Sequence, residues 1–108
     1  MSFYTNVNAN ITPINLIVIA LANIGFTISE NRNSWIEGRN DKNSITVFVD
    51  TDSIEQTQNA ISLISAICDS NTLSEGLEKV LPLDTFYDLG DKQLIIKANG
   101  INFVIYEG

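Results

Sequence analysis

The pair Asn99-Gly100, set between two runs of alternating apolar residues, constrains the fold of this chain more than any other feature. Asn-Gly is the preferred two-residue type I′ turn, because both central residues take positive φ and the hand of the turn matches the twist of the strands it joins. Gln93 to Ala98 and Ile101 to Tyr106 are therefore predicted to form a β-hairpin. In its register Ala98 opposes Ile101, Ile96 opposes Phe103 and Leu94 opposes Ile105, so one face is wholly apolar and must meet a core. The other face, Gln93, Ile95, Lys97, Asn102, Val104 and Tyr106, is mixed and suits partial exposure or a protein contact.

A hairpin needs something to pack against, and the first half of the chain supplies it. Thr12 is placed as an N-cap with Pro13 at the first helical position, where its missing N–H has no intrahelical partner to lose. The helix should run to Asn23 or Ile24 and stop at Gly25, a natural C′ residue. Its apolar residues cover nearly the whole circumference, so it must be covered on more than one side, by a sheet and by a second helix. Whatever is left over is a candidate self-association surface. Phe26 to Glu30 and Ser34 to Gly38 read as short strands around Asn31-Arg32-Asn33. Ile45 to Asp50 reads as a strand with Ile45, Val47 and Val49 on one face and Thr46 and Phe48 on the other. Connections this short cannot make parallel crossovers, which predicts antiparallel neighbours. Residues 2–10 are polar and Asn-rich, with Phe3, Tyr4 and Val7 placed in an edge strand.

A second helix is predicted to begin at Asp52 or Ser53, with Glu55 or Gln56 returning the cap. Its polar residues Glu55, Gln58, Ser62, Ser65 and Asp69 trace one narrow wet stripe. A third helix spans about Thr72 to Leu81 and is stopped by Pro82. Leu83 to Asp91 reads as a polar loop carrying Phe86, Tyr87 and Leu89. Helix-then-hairpin order recurs in the two halves, without the residue identity that would mark a duplication. The expectation is a single α+β domain over 1–108, an antiparallel sheet of about five strands packed with two to three helices.

The length of 108 residues suits one domain, and 44% hydrophobic with 18% charged residues is a globular composition. Cys68 is the single cysteine, which excludes an internal disulfide and multi-cysteine metal sites. The apolar run Leu16 to Ala22 is far shorter than the roughly 20 residues that span a bilayer, and no Lys or Arg precedes it as in a signal peptide. A cytoplasmic protein without a membrane partner is expected.

Charge is distributed unevenly. Between Asp50 and Asp91 lie nine acids, Asp50, Asp52, Glu55, Asp69, Glu75, Glu78, Asp84, Asp88 and Asp91, against the single base Lys79. The rest of the chain is nearly balanced, so this stretch accounts for the formal net charge of −7. With six bases in all, direct binding to nucleic acid is not expected, because neutralising phosphates takes clustered Lys and Arg. An acidic face attracts basic proteins instead, including those that bind nucleic acid. Solubility alone also favours acidic surfaces, and net charge does not by itself separate the two origins.

Histidine is absent, which removes the commonest general base and most transition-metal sites. No glycine pattern marks a nucleotide cradle. Cys68 falls on the apolar side of its helix without a nearby base, so it reads as a buried structural thiol. Asp50, Asp52 and Glu55 could suggest a divalent cation, but helix capping accounts for Asp52 and Glu55 and the spacing is not that of an EF-hand. Asp84, Asp88 and Asp91 could pair as acid and base, a reading set against solvated loop carboxylates. Trp35, Phe86 and Tyr87 are either exposed anchors or core residues. No cofactor, no metal and no enzymatic activity are expected.

The expected function is binding of a basic surface on a partner protein through Asp69, Glu75, Glu78, Asp84, Phe86, Tyr87, Asp88 and Asp91. Its sharpest form is nucleic-acid mimicry, with carboxylates standing in for phosphates in the groove of a nuclease, an RNA-guided effector or a repressor. That is the composition expected of a phage-type inhibitor of host defence, in the anti-CRISPR or anti-restriction class. The alternative is a structural or assembly protein that self-associates, as a homodimer for example, through surplus apolar surface.

Overall fold

The C-terminal hairpin forms in the predicted register, with Ala98 opposite Ile101, Ile96 opposite Phe103 and Leu94 opposite Ile105. Asn99 (φ 50°) and Gly100 (φ 93°) both take positive φ, as a type I′ turn requires. Gly100 is also the point where this turn meets the rest of the chain. Its carbonyl accepts the Asp50 N–H at 2.6 Å, and a Cβ there would lie 2.8 Å from the Asp50 carbonyl oxygen.

Residues 11–108 are described in the computed structural model. Helices α1 (Pro13–Asn23), α2 (Ile54–Cys68) and α3 (Leu73–Val80) accompany strands β1 (Thr27–Arg32), β2 (Trp35–Arg39), β3 (Asn43–Val49), β4 (Phe86–Leu89), β5 (Gln93–Ala98) and β6 (Ile101–Glu107). The strand expected around Phe3, Tyr4 and Val7 lies outside the described residues. The six strands form one antiparallel sheet in the order β1-β2-β3-β6-β5-β4. The sixth strand, β4, comes from the segment read as a loop. With it, each half of the chain is helical sequence followed by a three-stranded meander, and the two meanders join where β3 pairs with β6.

Each helix begins on a hydroxyl cap. The Thr12, Ser53 and Thr72 side chains accept the N–H of Asn15, Gln56 and Glu75 at 3.1–3.2 Å, satisfying donors that lack intrahelical partners. Between the two residues considered for α2, the cap is therefore Ser53. At the end of α1, Gly25 takes φ 98°, where a side chain would be strained.

All three helices contribute buried residues to one core on one face of the sheet, built from Ile17, Leu21, Ile64, Ile67, Leu73 and Leu77 against Ile36, Ile45, Val47, Leu94, Ile96, Ile101, Phe103 and Ile105. The predicted alternation of β3 holds, with Ile45, Val47 and Val49 buried and Thr46 and Phe48 on the opposite side. α1 packs against β1, β2 and α2, which meets the demand of its apolar circumference, and Ile19 remains 57% exposed. α3 rests on α2 at Gly76, where an added Cβ would lie 2.8 Å from the Ile67 Cα and carbonyl oxygen. That close approach fixes α3 and leads the chain through residues 81–85 into β4.

Candidate functional site

Five of the eight residues singled out from the sequence, Asp84, Phe86, Tyr87, Asp88 and Asp91, lie on β4 or on the segments that enter and leave it. β4 ends the sheet, pairing with β5 from Phe86↔Lys97 to Leu89↔Leu94. Because a strand sends successive side chains to opposite faces, Phe86 and Asp88 lie on the open side of the sheet and Tyr87 and Leu89 on the helix side. All four are exposed, Phe86 at 56%, Tyr87 at 41% and Leu89 at 37%. The helical layer, which covers β5 and β6, stops short of Tyr87 and Leu89. Burial, the commoner fate for Trp35, Phe86 and Tyr87, is met by none of them.

Asp84 precedes β4 and Asp91 sits in the turn that follows, where the Gly90 N–H donates to the Gln93 carbonyl at 2.8 Å. Glu75 and Glu78 are exposed on α3, and Asp69 caps the far end of α2. The eight residues thus do not share one face. Asp84, Phe86, Tyr87, Asp88 and Asp91 line the β4 edge, Glu75 and Glu78 belong to the helical layer, and Asp69 stands apart beside Asn40 and Cys68.

All nine carboxylates between residues 50 and 91 are exposed. Among the described residues the one ion pair is Arg32 with Glu30 at 3.5 Å, so none of the nine is paired with a base of its own chain. The open sheet face has a different balance. Glu30, Glu37 and Asp88 share it with Arg32, Arg39 and Lys97, around Trp35, Phe48, Phe86, Ile95, Val104 and Tyr106. Trp35 and Phe48 are in contact at a 4.8 Å centroid separation, and the Arg32 guanidinium and Lys97 ammonium lie over Trp35 and Phe86 at 5.9 and 5.3 Å. Of the nine, only Asp88 lies on the open face, where Glu37 and Asp88 are balanced by Arg39 and Lys97, so that face is neutral in sum and aromatic while the other eight lie on the helices and the connecting loops.

Asp84 and Asp91 stand at opposite ends of β4, whose four extended residues span about 10 Å from first to last. Asp88 points to the open face, and among the described residues Asp84 is the one titratable group that lines the depression of about 320 Å³ between α2, the end of α3 and the β5–β6 turn. Thr85 Oγ1, which borders the same depression, is buried without a hydrogen-bond partner. Among the described residues no three His, Cys, Asp or Glu side chains are grouped to hold a metal ion. The loop carrying Asp50 and Asp52 is organised by hydroxyls, with the Ser53 N–H donating to Thr51 Oγ1 at 3.1 Å.

Cys68 closes α2 and is half-buried where a buried thiol is expected, because the last turn of the helix borders a depression of about 510 Å³. Burial raises its thiol from 9.0 to about 11, with the Lys42 ammonium pulling the other way. A thiol so placed stays protonated at neutral pH and is a poor nucleophile.

No protein-family model matches the chain, and no curated protein or solved structure matches it either. No helix among the described residues is long and apolar enough to cross a membrane.

Proposed function

We propose that this protein acts by binding a basic surface of another protein and carries no catalytic activity of its own. The observation that supports this reading is the state of the carboxylates between residues 50 and 91, all exposed and none paired with the chain's own Lys or Arg. Uncompensated surface charge raises the encounter rate with a cationic partner and disfavours anionic ones. The favoured partner class is a nucleic-acid-binding protein, whose cationic groove offers the complementary field, with carboxylates occupying phosphate positions.

The test is recovery of partners on the immobilised protein from a lysate of its native host at low and high salt. Changing Glu75, Glu78, Asp84, Asp88 and Asp91 to their amides should abolish capture of the partner and flatten its salt dependence. Capture that is indifferent to both would remove the proposal. Added nucleic acid should compete for the same partner.

A second reading is self-association, favoured by the open sheet face. There Trp35, Phe48, Phe86 and Tyr106 are exposed in a setting whose charges cancel, so two copies could meet without the repulsion that their net charge imposes elsewhere. Sedimentation over a range of concentrations decides this, and a monomer at tens of micromolar would exclude it.

A further inference from the structure

We propose that the free edge of β4 receives an extended cationic segment of the partner protein as a seventh strand of the sheet, an inference that rests on the protein-binding function above. An edge strand carries unpaired N–H and C=O groups that template another strand, and folded proteins blunt such edges with bulges, charged side chains or a covering element. β4 has one charged residue, Asp88, and pairs with β5 without a bulge. Its remaining side chains, Phe86, Tyr87 and Leu89, are large, apolar and exposed on both sides of the sheet. Among the described residues no strand pairs with its outer edge.

The chemistry of the occupant follows from alternation. A strand added to β4 places every second side chain on the helix side, beside Tyr87 and Leu89, and the intervening ones on the open side, beside Phe86 and Asp88. Apolar residues suit the first set. Lys or Arg suits the second, beside Asp88 and within reach of Asp84 and Asp91 at the two ends of the strand. A second copy of this chain fits less well, since it would bring its own Asp84, Asp88 and Asp91 to the same edge. In this mode main-chain hydrogen bonds hold the segment and the alternate side chains select it.

The probe is a capped octapeptide of alternating Val and Lys, added to the full ¹⁵N-labelled chain at low salt and followed by amide shifts and hydrogen exchange. Two controls accompany it, the same peptide N-methylated at alternate residues and the Leu89→Lys variant, whose added edge charge blunts pairing without touching the core. The expected result is slowing of exchange within Phe86–Leu89 by roughly tenfold or more at saturation, lost with either control. Perturbation confined to α2 and α3, or insensitive to N-methylation, would overturn the edge mode while leaving charge-driven binding standing. Protection of β4 that rises with protein concentration and needs no peptide would overturn it in favour of a second copy. No binding of the cationic peptide at any salt would count against both the edge and the acidic surface.

Discussion

β1 and β4 hold equivalent places, each the first strand of its meander and each an outer edge of the same sheet, yet they are built as opposites. β1 is interrupted by a bulge between Ile28 and Glu30, carries Glu30 and Arg32 in an ion pair, and is covered on its inner side by α1. β4 is regular, mostly apolar and uncovered. One topological position can therefore be closed or open, because edge pairing depends on local side chains and local cover while strand order does not. The open edge carries Asp88 and runs between Asp84 and Asp91, whereas the closed edge carries its acid, Glu30, in an ion pair.

The largest effect should come from where the two halves meet. Phe103 on β6 is fully buried opposite Val47 of β3, and Phe103→Ala should cost about 3–5 kcal/mol by removing packing from both meanders at once. In denaturant the midpoint should fall in one transition with an unchanged slope, whereas two separated transitions would mean that the halves fold as independent units. Gly76→Ala acts on the second half alone. Forcing α3 away from the Ile67 backbone should cost about 1–3 kcal/mol and alter amide shifts through α3 and β4 while leaving β1 unmoved.

The equivalent turns offer a smaller contrast. Asn33 in the β1–β2 turn and Lys92 in the β4–β5 turn both take positive φ, at 47° and 86°. Asn tolerates that region and Lys does not, so Lys92→Gly should stabilise by up to about 1 kcal/mol and Asn33→Gly by close to nothing in thermal melts. The effect that is smallest at neutral pH is at the seam between halves, where the Lys42 ammonium donates to the Cys68 carbonyl at 3.5 Å. A thiol raised to about 11 from 9.0 favours the fold fully below pH 9, and that contribution is lost as pH rises through 11. Unfolding of the parent chain should therefore become easier than that of Cys68→Ala over this interval, with no divergence between pH 6 and 8.

Legibility in the sequence followed the burial pattern. The C-terminal hairpin, β3 and the cap at Thr12 are legible because local chemistry and hydrophobic period agree there. β4 is not. Phe86-Tyr87-Asp88-Leu89 places exposed apolar side chains on both faces, so it shows neither the alternation of a half-buried strand nor the run of a fully buried one. It is a strand because β5 offers it an unpaired edge. The eight candidate residues fall in one acidic stretch of sequence, and strand alternation sends Phe86 and Asp88 to one side of the sheet and Tyr87 to the other.

By itself, then, the order of residues determined the local elements, the register of the last hairpin and the sign of the stretch between Asp50 and Asp91, all of which depend on near neighbours. Only the tertiary structure decided that a fourth strand would complete the second meander, that one face of the sheet would stay uncovered, and that the bare edge would lie beside the unpaired carboxylates. Those outcomes rest on pairing and cover between segments distant in sequence, such as β4 on β5 and α3 against Ile67, and no local window contains both partners.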